Sequence, residues 1–553
     1  QVLAEIPGVT VHIHDQACAA ENRRGRARGT IPTPGFRVVI NERVCEGCGD
    51  CGDKSNCLSV QPVDTPYGRK TRIHQTSCNF DFSCLQGDCP SFATVTVDAD
   101  QKVATARPVR LDAPTDLPAP TAGLVDSSDM TVRLTGIGGT GVVTVSQVLA
   151  TAAMLAGLHV RGLDQTGLSQ KAGPVVSDLR ITRDETAVSN HANASGVDCL
   201  LAFDLLVGAS DANLAGVRPD RTVVVASTEA VPTGQMVTHP DIAPPDGATL
   251  AERVGQVSRS AENRFLDAAG LADGLLGSTT TANILLLGAA VQAGAVPVPA
   301  DAIEQAITLN GVAVDTNLAA FRWGRAWSVD AVAVERAAGW CHPAGPEPFD
   351  DLVERLADDL VGFQSPAYAE RFRTVVGESR RAEHAIGVDS TRYATAVARN
   401  LHKLMAYKDE YEVARLLLDG AARSGYEAVG GTTTTVTYHL HPPMLRSLGL
   451  DRKLKLQRSA VPALRALRAS KRLRGTLADP FRWADVRRVE RAMIPEYTNA
   501  ITVLNRRLSA DTYDEAVEIA SLPDQVRGYE NLKLRRAAAY RDELARRLAD
   551  ASR

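Results

Sequence analysis

The sequence predicts an α/β protein with three parts: a compact cysteine-rich segment, a doubly wound parallel sheet, and a mainly helical C-terminal region. Three observations lead to this prediction. Seven of the ten cysteines lie close together near the N-terminus. Short apolar runs alternate with helical segments in the middle of the chain, and helical periodicity with many Arg, Ala and Leu residues dominates the last third.

The composition excludes several classes of protein. A formal net charge of −4 argues against a dedicated nucleic-acid binder. No run of about 20 apolar residues is present, so we expect no membrane span, and the absence of a signal peptide predicts a cytoplasmic location. A chain of 553 residues does not fit a small secreted disulfide scaffold. Its dense cysteines therefore favour metal or iron–sulfur ligation.

The predicted organisation has four parts. Residues 1–30 begin with an alternating stretch too short to make a domain, and we interpret them as the tail of a domain whose body lies elsewhere. Residues 31–110 form the cysteine-rich segment, whose folding energy would come largely from bound metal. Residues 129–330 have the doubly wound pattern, and residues 345–553 form the helical region.

Individual elements follow from the same patterns. The pattern predicts strands at Val132–Thr135, His159–Leu163, Cys199–Phe203 and Thr222–Ala226, and several of these are the short continuous apolar runs that buried parallel strands require. Helical periodicity predicts helices over 141–156, 283–294, 300–309, Val397–Leu418 and Asn531–Leu548.

The first cysteines have the spacing of an iron–sulfur loop. Cys45, Cys48 and Cys51 form C-x2-C-x2-C, which lets three thiolates of one tight loop bind three corners of a cubane. The bacterial ferredoxin run continues with x3-C-P, where the fourth Cys ligates the other cluster. Here Cys57 follows after five residues without a proline, and the Cys-Pro pair comes at Cys89. Ferredoxin pseudo-symmetry predicts that Cys89 completes a [4Fe–4S] site, with Cys57 competing as the fourth ligand.

The remaining thiols are a possible second site. Cys78 and Cys84, with whichever of Cys57 and Cys89 is left over, are one thiol short of four ligands. A second cluster would need Cys18 or a ligand of another type, or would be incomplete; alternatively, these are buried structural thiols. Zinc usually takes C-x2-C pairs separated by a dozen or more residues, so the spacing favours iron–sulfur over zinc.

A glycine loop between a predicted strand and helix is a second candidate site. Gly136, Gly138 and Gly141 satisfy G-x-G-x-x-G, and Gly139 adds to the loop. Such loops direct backbone N–H groups and a helix dipole towards a phosphate, although a tight packing turn gives the same pattern. Asp164, at the end of the next predicted strand, completes a dinucleotide fingerprint and makes an NAD- or flavin-linked dehydrogenase an alternative. The polar, glycine-containing stretch that follows Asp164 counts against NAD.

Together these residues resemble a known enzyme family. The segment from Cys45 to Phe92, with Cys-Glu-Gly-Cys-Gly-Asp-Cys and Gly-Asp-Cys-Pro-Ser-Phe, resembles the iron–sulfur segment of bacterial fused indolepyruvate ferredoxin oxidoreductases. The stretches 136–141, 164–181, 306–314 and 320–325 resemble the gamma-type catalytic domain of 2-oxoacid:ferredoxin oxidoreductases. The stretches 401–415 and 522–528 resemble the helical extension of the family, and 9–29 resemble the tail of its thiamine-diphosphate-binding domain.

The resemblance implies oxidative decarboxylation of an aryl 2-oxoacid. Thiamine diphosphate would stabilise the carbanion, coenzyme A would take the acyl group, and electrons would leave through [4Fe–4S] to ferredoxin. The Gly-Asp-Gly motif expected for Mg²⁺–thiamine diphosphate is missing from the sequence, so we expect that cofactor to bind mainly in a separate N-terminal portion or subunit. Alone, this chain should be brown but should not decarboxylate.

Three further expectations follow from the resemblance. Gln170 and Lys171 are candidate catalytic residues, and Lys171 would contact an anionic substrate or coenzyme A. The full enzyme is expected to be a homo-oligomer. The basic stretch Arg452–Arg488 is interpreted as a solvated helix face or a domain-docking surface, with a docking face for acidic ferredoxin as the alternative. A stand-alone electron-transfer module that serves other enzymes is the second reading of the whole chain.

Overall fold

The chain divides into two compact units, and one of them is discontinuous in sequence. The first unit comprises Gln1–Val103 and Val353–Arg553, and the second comprises Ala104–Leu352. The computed structural model describes residues 5–11, 13, 15, 19–97, 110–126, 128–165, 173–185, 189–229, 236, 242, 245–339, 347–431, 434–440 and 453–550. None of the helices in these ranges combines the length and the apolar character that crossing a bilayer requires.

Both units contain strands and helices. The strands are β1 Phe36–Ile40, β2 Val60–Thr65, β3 Gly68–Ile73, β4 Phe92–Thr96, β5 Asp129–Ile137, β6 His159–Gln165, β7 Pro174–Thr182, β8 Cys199–Ala202, β9 Val223–Ser227, β10 Arg264–Leu266, β11 Val436–Leu440 and β12 Leu454–Leu456. The helices are α1 Ala19–Ala27, α2 Asp50–Ser55, α3 Val142–Leu155, α4 Leu205–Gly208, α5 Asp211–Leu214, α6 Gly247–Gln256, α7 Ala268–Leu276, α8 Ala282–Gln292, α9 Ala300–Asn310, α10 Val314–Val329, α11 Ala331–Ala337, α12 Phe349–Phe363, α13 Pro366–Ala385, α14 Arg392–Met405, α15 Glu410–Leu417, α16 Gly420–Gly430, α17 Val461–Ala469, α18 Asp485–Arg507, α19 Tyr513–Ser521 and α20 Glu530–Asp550.

The sheet of the second unit has the strand order β10-β9-β8-β5-β7-β6. Strands β10, β9, β8 and β5 are parallel to one another, and three of them, β5, β8 and β9, were predicted as strands from the sequence. Strand β7 was not predicted: it is antiparallel to both β5 and β6, so the sheet is mixed. Charged Asp178 and Arg180 interrupt the apolar pattern of this strand. Asp178 is nevertheless buried, because Arg133 of β5 lies 2.8 Å from its carboxylate.

Two helices of the second unit cross at a glycine pair in the apolar core. A Cβ atom at Gly324 of α10 would lie 1.8 Å from the carbonyl oxygen of Leu285 in α8. One at Gly288 of α8 would lie 2.1 Å from the carbonyl oxygen of Phe321. Only glycine permits this approach, so Gly324 within the family-like stretch 320–325 has a packing role.

The sheet of the first unit takes strands from both ends of the chain. Its order is β1-β4-β11-β12, and Ala93 of β4 is paired with Tyr438 of β11. The helical C-terminal region therefore also contributes strands that periodicity did not predict. The single helix expected over Val397–Leu418 is wrong: α14 ends at Met405, and Asp409 caps α15 by accepting a hydrogen bond from the Glu412 amide at 2.9 Å.

Candidate iron–sulfur site and glycine loop

The C-x2-C-x2-C loop follows β1, and its last cysteine, Cys51, lies in the first turn of the short helix α2. The Gly47 amide donates a hydrogen bond to the Cys45 sulfur at 3.3 Å, and hydrogen bonds of this kind surround the ligand sulfurs of iron–sulfur clusters. Gly47 has a φ of 61°, and a Cβ on it would lie 2.6 Å from the Arg69 carbonyl oxygen. The loop thus needs glycine at this position both for its turn and for its packing.

The structure brings Cys89 to this loop. Burial raises the pKa of the Cys48 and Cys51 thiols, and the nearby Cys89 and Cys45 raise it further. All four thiols are buried. Cys89 lies just before β4, where its sulfur is 2.9 Å from the Ser91 hydroxyl. Cys45, Cys48, Cys51 and Cys89 are called the first thiol group below.

The other three cysteines of the segment form a second thiol group. Cys57 precedes the β2–β3 hairpin and Cys78 follows it, and the two ends of the hairpin are held together by the Ser77 and Ser59 hydroxyls at 3.0 Å. Burial raises the pKa of Cys84 to about 12, with Cys78 and Cys57 contributing next. Cys57 therefore lies with Cys78 and Cys84.

The donor chemistry of the first thiol group fits an iron–sulfur cluster. Buried thiols with an amide-to-sulfur hydrogen bond are the ligand environment that such clusters use. In the described ranges, no group of three or more His, Cys, Asp and Glu side chains is arranged to hold a metal ion. A [4Fe–4S] cubane does not need its ligands to converge on one ion, because each thiolate binds a different iron at a separate corner.

Side chains of the C-terminal region bind the backbone of the first thiol group. The Tyr529 hydroxyl donates to the Val44 carbonyl at 2.6 Å, and Arg527 donates to the Glu46 carbonyl at 3.2 Å. Arg536 donates to the Cys48 carbonyl at 3.0 Å, and Lys453 donates to the Cys89 carbonyl at 3.3 Å. Sequence reasoning missed all four donors, because each lies more than 350 residues from its acceptor.

A buried charge network adjoins the same loop. Burial disfavours the charged form of Glu46, but Lys533 and Lys70 lower its pKa to about 2. Lys533 lies 2.7 Å from Glu490, which also pairs with Arg487 at 2.7 Å. The carboxylate within the cysteine motif is thus ionised and neutralised by the helical region.

The glycine loop connects β5 to α3, as predicted. Its Gly138 amide donates to the Gly173 carbonyl at 2.8 Å, and Gly141, with a φ of 81°, precedes the first residue of the helix. A Cβ at Gly141 would lie 2.1 Å from the Asn283 amide nitrogen, and one at Gly136 would lie 2.6 Å from the Thr140 hydroxyl. The positive φ at Gly141 and the close packing around Gly136 therefore account for these two glycines without a bound phosphate.

The position of Asp164 does not match that of a dinucleotide-binding acid. Its strand β6 is separated from β5 by β7, whereas dinucleotide folds place these two strands side by side. Its carboxylate accepts hydrogen bonds from Ser177 at 2.5 Å and Ser146 at 3.3 Å. The arrangement counts against the dehydrogenase alternative.

Other predicted residues are only partly accounted for. Gln170, Lys171 and Cys18 lie outside the described residues. In the basic stretch, Lys471 donates to the Gly362 carbonyl at 2.7 Å, and Arg474 is buried against Asp409 at 2.8 Å. These two cations are therefore used to pack the first unit.

Comparisons with known proteins match separate stretches of the chain. Residues 131–327 match the family "Pyruvate ferredoxin/flavodoxin oxidoreductase", and residues 349–546 match "Family of unknown function (DUF6537)". The "Indolepyruvate oxidoreductase subunit IorB" of Methanothermobacter thermautotrophicus is 26% identical over 199 residues, which is 35% of this chain and 94% of the relative. The subunit of the same name from Pyrococcus horikoshii is 28% identical over 201 residues, 35% of this chain and 93% of the relative.

Solved structures with similarity include two oxidoreductase subunits. Pyruvate oxidoreductase subunit PORC from Thermotoga maritima is 25% identical, with a TM-score of 0.27, over 36% of this chain and 96% of that one. The gamma subunit of a keto/oxoacid ferredoxin oxidoreductase from Geobacter sulfurreducens is 20% identical, with a TM-score of 0.26, over 36% and 98%. The family match over residues 131–327 and the curated relatives support the resemblance of this chain to a portion of an indolepyruvate-type 2-oxoacid:ferredoxin oxidoreductase.

Proposed function

We propose that this chain is the electron-exit portion of an enzyme that oxidatively decarboxylates aryl 2-oxoacids to acyl-CoA and reduces ferredoxin. The observation that carries the proposal is the first thiol group, in which four buried cysteines lie together beside the cationic side chains of Arg536 and Lys453. The names of the curated relatives support indolepyruvate as the substrate class.

Cys45, Cys48, Cys51 and Cys89 are the proposed ligands of one [4Fe–4S] cluster. When bound, such a cluster takes up and releases single electrons. The chain's own residues exclude water from the sulfurs by burial, and the Gly47 amide donates a hydrogen bond to the Cys45 sulfur. Among the described residues the second thiol group has three cysteines, Cys57, Cys78 and Cys84, and we propose no second cluster from these three alone.

The remaining cofactors and partners are proposed from the resemblance. Mg²⁺–thiamine diphosphate would bind mainly in a separate portion or subunit, and a homo-oligomer of the full enzyme would work in the cytoplasm with ferredoxin as acceptor. The loop of Gly136, Gly138, Gly139 and Gly141 is proposed to contact a cofactor phosphate through its backbone N–H groups. Gln170 and Lys171 are proposed to contact the anionic substrate or coenzyme A.

Metal analysis of single-cysteine variants tests the ligand set. We expect the anaerobically purified chain to be brown, with about four irons and an equal amount of sulfide. Cys89→Ser should lose the cluster, while Cys57→Ser and the buried control Cys199→Ser should retain it. A colourless, zinc-loaded chain would overturn the proposal, and loss of iron in Cys57→Ser but not in Cys89→Ser would reverse the ligand assignment.

A turnover assay separates the enzyme from a stand-alone electron-transfer module. The chain alone should not oxidise indolepyruvate, and activity should appear when a thiamine-diphosphate-binding portion of the same enzyme type is added. If the iron-loaded chain gives no coenzyme A-dependent turnover with that portion, the module reading is favoured instead.

A further inference from the structure

The region that matches a family of unknown function covers the proposed cluster loop. Its strand β11 pairs with β4, the strand that directly follows Cys89. Gly528, in the turn before α20, is so close to the loop that a Cβ on it would lie 3.4 Å from the Cβ of Cys48. This region is therefore part of the wall around the first thiol group.

Three donors of this region bind alternate carbonyls of the loop. The Tyr529 hydroxyl donates to the carbonyl of Val44, Arg527 donates to that of Glu46, and Arg536 donates to that of Cys48. Arg527 is itself held by both carboxylate oxygens of Asp524, at 2.6 and 2.7 Å, and it also donates to the Arg69 carbonyl at 2.9 Å. Because alternate carbonyls are fixed, the loop cannot rotate its peptides without breaking these bonds.

Two of the donors bring positive charge to ligand residues. Arg536 donates to the carbonyl of Cys48, and Lys453 donates to that of Cys89. Lys453 also lies 5.0 Å from the ring centre of Phe92. Neither cation forms a salt bridge with a carboxylate of the described residues, although Asp88 and Asp50 are close enough to act on Lys453 electrostatically and to offset part of its field. A positive charge favours the more negative, reduced form of a neighbouring redox centre.

We infer that this region of unknown function is a clamp on the cysteine loop: it fixes the loop backbone, and Arg536 and Lys453 raise the reduction potential of the cluster. The inference rests on the proposed [4Fe–4S] site. Arg536 and Lys453 are positioning residues, because they act on the ligand residues through backbone carbonyls.

Potentiometric titration followed by EPR tests the electrostatic part. In the full, iron-loaded chain, Arg536→Gln and Lys453→Gln should each lower the midpoint potential. Removal of one nearby charge is expected to change the reduction equilibrium about tenfold, or about 59 mV for one electron. Arg536→Lys should retain the wild-type value, and the exposed neighbours provide controls as Arg535→Gln and Lys455→Gln. Equal potentials in the Gln variants and their controls would overturn this part.

Hydrogen exchange tests the mechanical part without relying on iron. In the chain as purified, Tyr529→Phe and Arg536→Ala should speed amide exchange over residues 44–51, and Arg535→Ala should not. If iron and sulfide are absent but exchange increases, the proposed function fails while the clamp stands. If exchange over 44–51 is unchanged in both variants, the clamp is refuted whatever the metal content.

Discussion

Replacing Gly324 with alanine should strongly destabilise the second unit. The added Cβ would lie 1.8 Å from the Leu285 carbonyl oxygen and 3.0 Å from the Ala289 nitrogen. Both atoms belong to the backbone of α8, so no side-chain rotation can relieve the clash. An ordinary contact of about 3.4 Å requires the helices to separate by about 1.5 Å, which opens voids in a close-packed core. Overpacking a core lowers the free energy of unfolding by about 1–3 kcal/mol. Because this clash is with backbone atoms, we expect a loss of about 3 kcal/mol.

Urea denaturation followed by tryptophan fluorescence measures this effect. Trp323 and Trp327 lie on the same helix as Gly324 and are buried, so they report unfolding of the second unit. With a slope of about 2–3 kcal/mol per molar urea, the midpoint should fall by about 1–1.5 M. Gly247→Ala is the control in the same unit, because the nearest atom to its Cβ would be the Thr228 carbonyl oxygen at 3.4 Å, an ordinary contact. Identical midpoints for Gly324→Ala and the wild type would refute the packing argument.

Three further predictions concern buried polar groups. Asp178→Asn leaves Arg133 buried without its carboxylate, which should cost about 3–5 kcal/mol in urea titrations, and a loss below about 1 kcal/mol would contradict a buried pair. Burial opposes the charge on Asp178, but Arg133 and the Ala192 amide hold its pKa below the usual value. The stability that comes from this shift is present above about pH 4 and is lost as the pH falls further. The unfolding free energy of the wild type should therefore drop more steeply below about pH 4 than that of Asp178→Asn. Parallel curves of unfolding free energy against pH would exclude this linkage. Asn41→Ala removes the donor to the Leu416 carbonyl at 3.1 Å and the acceptor of the Val44 amide, and thermal melting should show a loss of about 1–3 kcal/mol rather than none.

Local patterns were enough to predict much of the second unit. Strands β5, β8 and β9 are buried along most of their length, so they appear in the sequence as apolar runs. Strand β7 carries Asp178, whose charge is matched by Arg133 on the neighbouring strand. A buried ion pair between strands leaves no local trace in the sequence, and this is why β7 was missed.

The cysteine site was partly predictable for a similar reason. The spacing of Cys45, Cys48 and Cys51 is a local signal, whereas the choice between Cys57 and Cys89 depends on how the intervening hairpin folds. Helix α20 was predicted from its periodicity, which does not identify the partners of its arginines. One of these arginines, Arg536, binds the Cys48 carbonyl, 488 residues away. Charge along a helix does not reveal a partner so distant in sequence.

The shared sheet of the first unit also sets an order of events during synthesis. Thr94 on β4 and His439 on β11 meet although they are 345 residues apart. At about 5–20 residues per second, the ribosome needs roughly 20–70 s to make the intervening chain. The earlier strands must wait through that interval with an open edge, while the inserted unit has time to fold by itself. On the proposed function, iron delivered to the nascent polypeptide would meet a cysteine loop that lacks its later donors, so the cluster would be assembled only after Arg536 has been synthesised.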